Sequence, residues 1–268
     1  ERVLGIALKN KNLENINVST KCRLGNPKDS EVYEVLNKSL CRSLETMNLE
    51  KVNLFLLHSQ LIEDDYRFHK FDETRETGGT TLSCYFNAVI PAFERLKKEG
   101  KIDNWGIGLG QEEALIKAIN SSTPPEAMQC AVNILNSIGA IGYLSEKNNP
   151  NKILNECQDK NIPILAIRAV QAGALTLSMD REPHSSGRDE DDFKDFEKAL
   201  PFRKFAENID ENPASLAHRY ALSVDKVSSV ILGVKNRAEL IECIAAEEKG
   251  QLEKEMLSKI DKLFENVK

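Results

Sequence analysis

The sequence predicts an α/β fold, a (β/α)8 barrel, and three observations carry that prediction. Short apolar runs alternate with segments of helical periodicity, a pattern typical of parallel strands joined by helices. Runs such as NLFLLH and IPILAI are apolar throughout, as in strands buried on both faces. An open sheet that binds a dinucleotide usually carries GxGxxG after its first strand. The similar stretch GIGLG lies mid-chain and ends one glycine short, so the barrel is favoured over the open sheet.

The elements follow from the period of the apolar residues. The predicted strands are Ile16–Ser19, Val52–Leu57, Asn104–Gly108, Ala127–Ile134, Ile162–Ile167 and Val227–Leu232. The predicted helices are Ser30–Met47, Leu82–Lys98, Glu112–Ile119, Lys152–Lys160, Pro213–Leu222, Ala238–Ala246 and Gln251–Phe264. The first of these helices places Val32, Leu36, Leu40 and Leu44 on one face. No Gly/Ser-rich linker or shift in composition divides the chain, so we predict one domain over residues 1–268.

Composition restricts the class of protein. The net charge of −6 argues against nucleic acid as the main partner, which would require a basic surface. No apolar run approaches the roughly 18 residues of a membrane span, and no signal peptide is visible. Six scattered cysteines without CxxC indicate free thiols in a reducing compartment. The histidines show no spacing typical of metal ligands. We therefore expect a cytoplasmic protein without a metal centre.

Polar residues lie at the ends of several predicted strands or within them. Lys21, His58 and Arg168 follow apolar runs, and Gln129 and Asn133 lie inside MQCAVNILN. In a barrel the chemistry is located at the carboxyl ends of the strands. A single lysine there is more often a solvated surface residue. Five such positions together indicate a functional site.

Several stretches match a known family in order and spacing. They include VSTKCRLG, SLCRSLETMNLEKVNLFLLH, AFERLKKEGKIDNWGIG, QCAVNILN and IPILAIRAVQAGALT, and they end with PASLAHRYALSVDKVSSVILGVKNRAELIECIAA. Through them nearly the whole chain resembles the aldo-keto reductases. The resemblance implies a nicotinamide-dependent enzyme that reduces an aldehyde, ketone or sugar-like carbonyl on a (β/α)8 barrel. The expected partner is a small carbonyl compound, with neither nucleic acid nor membrane.

The resemblance assigns catalytic roles to two residues. In the family a tyrosine donates the proton to the carbonyl oxygen, a lysine paired with an aspartate lowers the pKa of that tyrosine, and a histidine orients the carbonyl. Lys21 matches the lysine and His58 the histidine. A phenol with a pKa of about 10 is a poor donor at pH 7, and a nearby ammonium stabilises its phenolate. The tyrosine and aspartate have no match, so we expect a segment before Glu1 to supply them with the first one or two strand–helix units.

The cofactor contacts are only partly preserved. Gln129 matches a contact to the nicotinamide amide, whereas Gly108 and Leu109 stand where the family usually has a Ser-Asn pair. Ile167 replaces the aromatic ring on which the nicotinamide stacks. Arg168 beside it is either a pyrophosphate contact or a surface salt bridge. These departures leave open a second hypothesis, a catalytically silent barrel that serves as a binding or regulatory subunit.

The stretch GVKNRAELIEC matches the segment that binds the adenosine phosphate. Gly233, Lys235 and Asn236 fit a loop that wraps a phosphate at a helix N-terminus. Glu239 would repel a 2′-phosphate and accept hydrogen bonds from a ribose diol, so NAD is favoured over NADP unless Glu239 only lies on a solvated helix face. Cys243 replaces the usual adenine-contacting asparagine. Loop 60–81 is predicted to form part of the substrate rim, and the charged stretch 179–202 is predicted as a loop that covers the cofactor.

Overall fold

The computed structural model describes residues 1–145, 147 and 149–264, and the chain folds as two compact units. The N-terminal unit is Glu1–Gln129 and the C-terminal unit is Cys130–Lys268. None of the helices in these described ranges combines the length and apolar character needed to cross a membrane.

The N-terminal unit is built on parallel strands, each followed by helical segments. The strands are β1 (Ser19–Cys22), β2 (Val52–Ile62), β3 (Gly79–Thr81), β4 (Ile102–Gly110) and the start of β5 (Met128–Ala131). The helices are α1 (Arg2–Leu8), α2 (Asp29–Met47), α3 (Arg75–Gly78), α4 (Leu82–Cys84), α5 (Ile90–Lys98) and α6 (Glu112–Ile119). Strand β2 pairs with β1, β3 and β4, and β4 pairs with β5 through Ile107 and Met128.

The C-terminal unit continues the same alternation. Its elements are the end of β5, α7 (Pro150–Asp159), β6 (Ile164–Ile167), α8 (Glu190–Lys198), α9 (Leu200–Asn208), α10 (Pro213–Ser223), β7 (Val227–Val230), α11 (Arg237–Glu248) and α12 (Lys254–Lys262). Strands β6 and β7 are parallel, and the Val132 amide donates to the Ile167 carbonyl at 3.0 Å. A buried cluster that includes Phe202, Leu216 and Ile260 forms the core.

The helix boundaries follow from capping and from proline. Asn48, with φ of 55°, ends α2 with its amide bonded to the Glu45 and Leu44 carbonyls. Asn212 begins α10 by accepting from the Ala214 and Ser215 amides. The predicted helix Leu82–Lys98 is α4, a π-helical turn (Tyr85–Val89) and α5 in succession. Pro91 lacks an N–H, and such a wide turn accommodates the lost helical hydrogen bond.

Three predicted strand boundaries that bear on polar candidate residues are wrong. Strand β5 ends at Ala131 rather than at Ile134, so Asn133 lies after the strand. The first strand is Ser19–Cys22 rather than Ile16–Ser19, because Ser19 to Cys22 are the residues in register with Leu54 to Leu57 of β2. Lys21 therefore lies within β1. Strand β2 continues from the predicted end at Leu57 to Ile62, because β3 and β4 both pair with its second half. His58 therefore lies inside β2 and not after it.

The two predicted loops contain regular structure. The stretch 60–81 includes the end of β2, the short helix α3 and strand β3. The charged stretch 179–202 includes helix α8, so its prediction as a loop is wrong. The spacing of Phe193 and Phe196 with Asp192 and Asp195 is helical, and both carboxylates are buried.

In the second half of β4, one face carries only glycine, because neighbouring backbone lies too close. A Cβ on Gly106 would lie 2.2 Å from the Ala127 carbonyl oxygen, and one on Gly110 would lie 2.5 Å from that of Leu61. The opposite face carries Trp105, which stacks on Phe93 with ring centroids 5.4 Å apart. Glycine at these positions is thus required by close approach.

Candidate functional site

Lys21 and His58 lie on one face of the sheet in the N-terminal unit. Strands β1 and β2 are adjacent and parallel, with Lys21 opposite Leu56. The register of β2 is irregular between Leu57 and Gln60, but Leu56 and His58 approach Gly106 and Gly108, which lie on one face of β4. Both side chains are exposed although their strand neighbours are buried. The opposite face of β1 is directed at the helices, where Thr20 donates to the Glu1 carboxylate at 2.8 Å.

Gln129 reaches the same region as His58. A Cβ on Gly108 would lie 3.5 Å from His58 Cδ2 and 3.4 Å from Gln129 Oε1, so both side chains approach this glycine. Gln129 is buried. The structure therefore brings together three residues that sequence analysis selected separately, and Gly108 leaves the space between them open.

The surroundings of His58 favour a neutral imidazole. Partial burial lowers the pKa of His58, and the positive charges of Lys21 and Arg23 lower it further. A ring with a pKa below 6.5 is uncharged at pH 7. It keeps one N–H that can donate to a carbonyl oxygen.

We expect an NMR titration of the His58 ring to give a midpoint below 6.5, and Arg23→Gln to raise it because a positive neighbour is removed. Protonation of His58 is more costly in the folded chain than in the unfolded one. The His58 ring therefore contributes to the free energy of unfolding above pH 6.5. This contribution is lost as the pH falls from 6.5 towards the pKa of His58 in the folded chain. A wild-type midpoint at or above 6.5 would contradict this electrostatic description.

Arg23 is a residue of this face that sequence analysis missed. Exposure alternates along the segment: Lys21 and Arg23 are exposed, while Cys22 and Leu24 are buried. The alternation is visible in the sequence STKCRL as polar and apolar residues in turn. It places Arg23 on the same side as Lys21.

The C-terminal unit contains a cavity of about 490 Å³ beside the N-terminus of α11. Gly233, Lys235 and Glu239 line it, together with Cys243. The fourth predicted residue of this loop, Asn236, is the N-cap of α11 and accepts from the Glu239 amide at 3.0 Å. The structure thus gathers the predicted adenosine-phosphate segment around one cavity.

Glu239 links the loop of Gly233 to Asn236 to the first turn of α11. Its carboxylate accepts from the Lys235 amide at 2.7 Å and from Asn236 Nδ2 at 3.1 Å. The two hydrogen bonds between Asn236 and Glu239 resemble a capping box, in which side chains bind the free backbone amides at the start of a helix. Lys235 forms an ion pair with Asp180. The loop is therefore organised by its own side chains, and Glu239 remains at the cavity wall.

Two buried polar atoms at the cavity have no hydrogen-bond partner within the described residues, Ser215 Oγ and His218 Nδ1. His218 Nε2 lies 3.6 Å from Cys243 Sγ. Burial lowers the pKa of His218 and raises that of Cys243, so this pair is neutral. Unsatisfied buried polar atoms are costly unless a ligand or water satisfies them. The wall of this cavity therefore suits a ligand with donors and acceptors of its own.

Arg168 belongs to a buried network in the C-terminal unit. Its guanidinium forms an ion pair with Asp192 and donates to Gln171 Oε1 at 3.0 Å. Arg181 donates to the second oxygen of Asp192 at 3.0 Å. Burial lowers the pKa of Arg168, and the charge of Asp192 opposes that effect. The sequence leaves two roles open for Arg168, a pyrophosphate contact and a surface salt bridge. In the structure Arg168 forms a salt bridge, and this salt bridge is buried.

The loop after β5 completes this network. Asn133 donates to the carbonyls of Ser137 and Arg168, at 2.7 and 3.2 Å. Gly139, with φ of +50°, lies so close to Asp192 that an added Cβ would be 2.1 Å from Oδ1. The hydrogen bonds of Asn133 therefore position the backbone after β5 and β6.

The tyrosines with resolved pKa shifts do not provide an activated phenol. Burial raises the pKa of Tyr85 and, together with Asp261, that of Tyr220. Burial and a hydrogen bond to Glu99 raise the pKa of Tyr33. Each shift is opposite to the one that a proton donor near pH 7 requires.

Comparison with known proteins gives the same family as the resemblance found in the sequence. The model of the Aldo/keto reductase family matches residues 1–265. An L-galactose dehydrogenase from Arabidopsis thaliana is 24% identical over 256 residues, which cover 94% of this chain and 70% of the relative.

Two solved structures share the fold. Aldo-keto reductase AKR11C1 from Bacillus halodurans, in its holo form, superposes with a TM-score of 0.68 at 20% identity, covering 98% of this chain and 76% of that one. The aldo-keto reductase MGS-M4 from a Medee basin deep-sea metagenome library gives 0.63 at 17% identity, with 98% and 77% covered. These likenesses confirm the predicted α/β fold of (β/α)8-barrel type. The match to the family model over nearly all of its length shows that this chain belongs to the aldo/keto reductase family, whose members are oxidoreductases.

Proposed function

We propose that this enzyme transfers hydride between a nicotinamide cofactor and a small aldehyde, ketone or sugar carbonyl, with Lys21 and His58 at the reacting centre. The placement of these two side chains on one face of adjacent parallel strands, with Gln129 beside His58, carries the proposal. A sugar is included because the Arabidopsis relative is named for L-galactose. The family membership favours this enzyme over a silent binding subunit.

The residues of the chain have distinct roles in the proposed reaction. The bound cofactor supplies the hydride. Neutral His58 donates its ring N–H to the carbonyl oxygen and orients it. The Lys21 ammonium stabilises the phenolate form of the proton-donating tyrosine that the resemblance implies. Gln129 offers its amide to the nicotinamide amide group.

The cavity beside α11 fits the adenosine part of such a cofactor. Ser215 Oγ and His218 Nδ1 offer unsatisfied hydrogen-bonding atoms, and Lys235 offers a positive charge. Gly233 and Asn236 shape the loop at the N-terminus of α11, where backbone amides favour phosphate. Arg168 contributes by holding Asp192 and the loop after β6 in place, so we propose that its effect on cofactor binding is indirect.

The function is tested with the purified full-length protein, NADH or NADPH, and a panel of aldehydes, ketones and sugars. Oxidation of the reduced nicotinamide that depends on the carbonyl supports the proposal. Cofactor binding without turnover of any carbonyl, and without oxidation of the corresponding alcohols, would support the silent subunit.

We also propose a cytoplasmic location, a single domain and no nucleic-acid partner.

Glu239 is expected to set the cofactor preference. We expect NADH to bind at least as tightly as NADPH, because a carboxylate at the cavity wall repels a 2′-phosphate. Glu239→Arg should shift the ratio of the two dissociation constants towards NADPH, measured by quenching of protein fluorescence. The matched change Glu248→Arg, near the other end of α11, should leave the ratio unchanged. Much tighter NADPH binding by the unmodified protein would show that Glu239 does not face the ribose.

A further inference from the structure

Two positive side chains lie beside His58 at the end of β1. Lys21 is within the strand and Arg23 follows its last residue, both exposed and separated by buried Cys22. Residues i and i+2 of an extended segment lie about 6.6 Å apart. Both charges are close enough to His58 to lower its pKa. The proposed mechanism uses Lys21 and His58 but gives Arg23 no role.

The protein provides room for the Arg23 guanidinium. Arg23 Nη2 would lie 3.2 Å from a Cβ on Gly78, so the guanidinium lies over the surface of this glycine. A side chain at position 78 would therefore require the guanidinium to shift slightly.

Three carboxylates of the stretch 60–81, which contains Gly78, are engaged by other groups. Glu76 binds Arg75 at 2.7 Å, and Asp72 binds Arg67 at 3.1 Å. Asp64 accepts from the Ser83 amide at 3.0 Å. Within the ranges that the structure describes, Arg23 forms neither an ion pair nor a hydrogen bond with another side chain. Its donors therefore remain available to an anionic ligand.

We propose that Arg23 binds an anionic group, a carboxylate or a phosphate, on the carbonyl substrate, and that the enzyme therefore prefers short anionic carbonyl compounds. This inference rests on the proposed function, which places the carbonyl at His58. A guanidinium binds either anion through two parallel N–H···O bonds, which gives orientation as well as affinity. Arg23 follows Lys21 by two residues, so an anion bound to it would lie a short distance from the proposed reacting centre.

Matched substrate pairs test the proposal. Succinic semialdehyde is compared with butanal for the carboxylate, and glyceraldehyde 3-phosphate with glyceraldehyde for the phosphate. We expect the anionic member of at least one pair to have the higher kcat/KM. In Arg23→Gln the anionic-to-neutral ratio should fall about 10- to 100-fold, as for loss of a charged hydrogen bond, and Arg23→Lys should retain part of it.

The control removes an equal charge at the other end of the strands. Lys51 precedes β2 and pairs with Asp103 at 2.8 Å, so Lys51→Gln should leave the ratio unchanged. Neutral carbonyls reduced as well as anionic ones, with a ratio that Arg23→Gln does not alter, would overturn the inference while the proposed function stands.

A binding measurement separates failure of the inference from failure of the function. Calorimetry with succinate and with inorganic phosphate reports the anion site without turnover. Weaker binding of one of these anions in Arg23→Gln, but not in Lys51→Gln, supports the site even where no carbonyl is reduced. Equal binding by both variants and the unmodified protein counts against it.

Discussion

Lys21→Met should reduce the rate of carbonyl reduction by the full-length protein about 10²- to 10⁴-fold, the range associated with loss of one general-acid contribution. Methionine preserves much of the stem of lysine and removes the charge, and Lys21 is exposed in β1, so the fold should remain intact. Without the ammonium, the pKa of the donor tyrosine should return towards 10. Steady-state kinetics measure the loss, and circular dichroism checks the fold.

Lys51→Met is the matched control for this variant. Lys51 lies at the opposite end of β2, and its ion pair with Asp103 is half-exposed. Such pairs contribute little to stability, and Lys51 is remote from the candidate site along the strand. An unchanged rate in a folded Lys21→Met protein would identify Lys21 as an ordinary solvated surface residue.

Asp192→Asn should lower the free energy of unfolding by about 3 kcal/mol or more, because it leaves the buried guanidinium of Arg168 without its counter-ion. The side chain of Asp192 is only 4% exposed, and it binds both Arg168 and Arg181. Asparagine has nearly the same shape as aspartate, so the decrease in the free energy of unfolding measures the effect of removing the charge. Urea denaturation followed by circular dichroism provides the measurement.

A neighbouring residue of the same helix provides the comparison for Asp192. Glu190 also forms an ion pair, with Lys194 at 2.9 Å, but its side chain is 61% exposed. Glu190→Gln should cost no more than about 0.5 kcal/mol. Similar losses for the two variants would mean that Asp192 is solvated in solution and that the network does not anchor α8.

The sequence determines helices more clearly than strand ends. Glu112–Ile119 was predicted with both of its boundaries, since its apolar face and first-turn acids are local signals. The extent of β1 depends instead on which residues find partners in β2, over 30 positions away along the chain. Ile16 is apolar yet 40% exposed, and Thr20 is polar yet buried against Glu1 and Ser43. Tertiary pairing therefore overrides the apolar pattern at this strand.

The candidate site was predictable where a residue type itself carries chemistry. Lys21, His58 and Gln129 stand out in the sequence as polar residues in apolar surroundings, and the register places Lys21 opposite Leu56, two residues before His58. The network of Arg168, Asp192 and Gln171 was not foreseen, because its members are separated in sequence and Asp192 lies in the stretch 179–202, whose charges are typical of a loop. Burial of Asp192 becomes visible only when α8 is formed.

For protein engineering, the three glycines in the second half of β4 act as a constraint. A Cβ at position 106, 108 or 110 would lie 2.2, 2.9 or 2.5 Å from a neighbouring carbonyl oxygen, of Ala127, Leu57 and Leu61 respectively, so each substitution has to move backbone. A mutant library directed at the substrates this enzyme accepts should therefore keep all three glycines fixed and place its diversity at other positions around the candidate site.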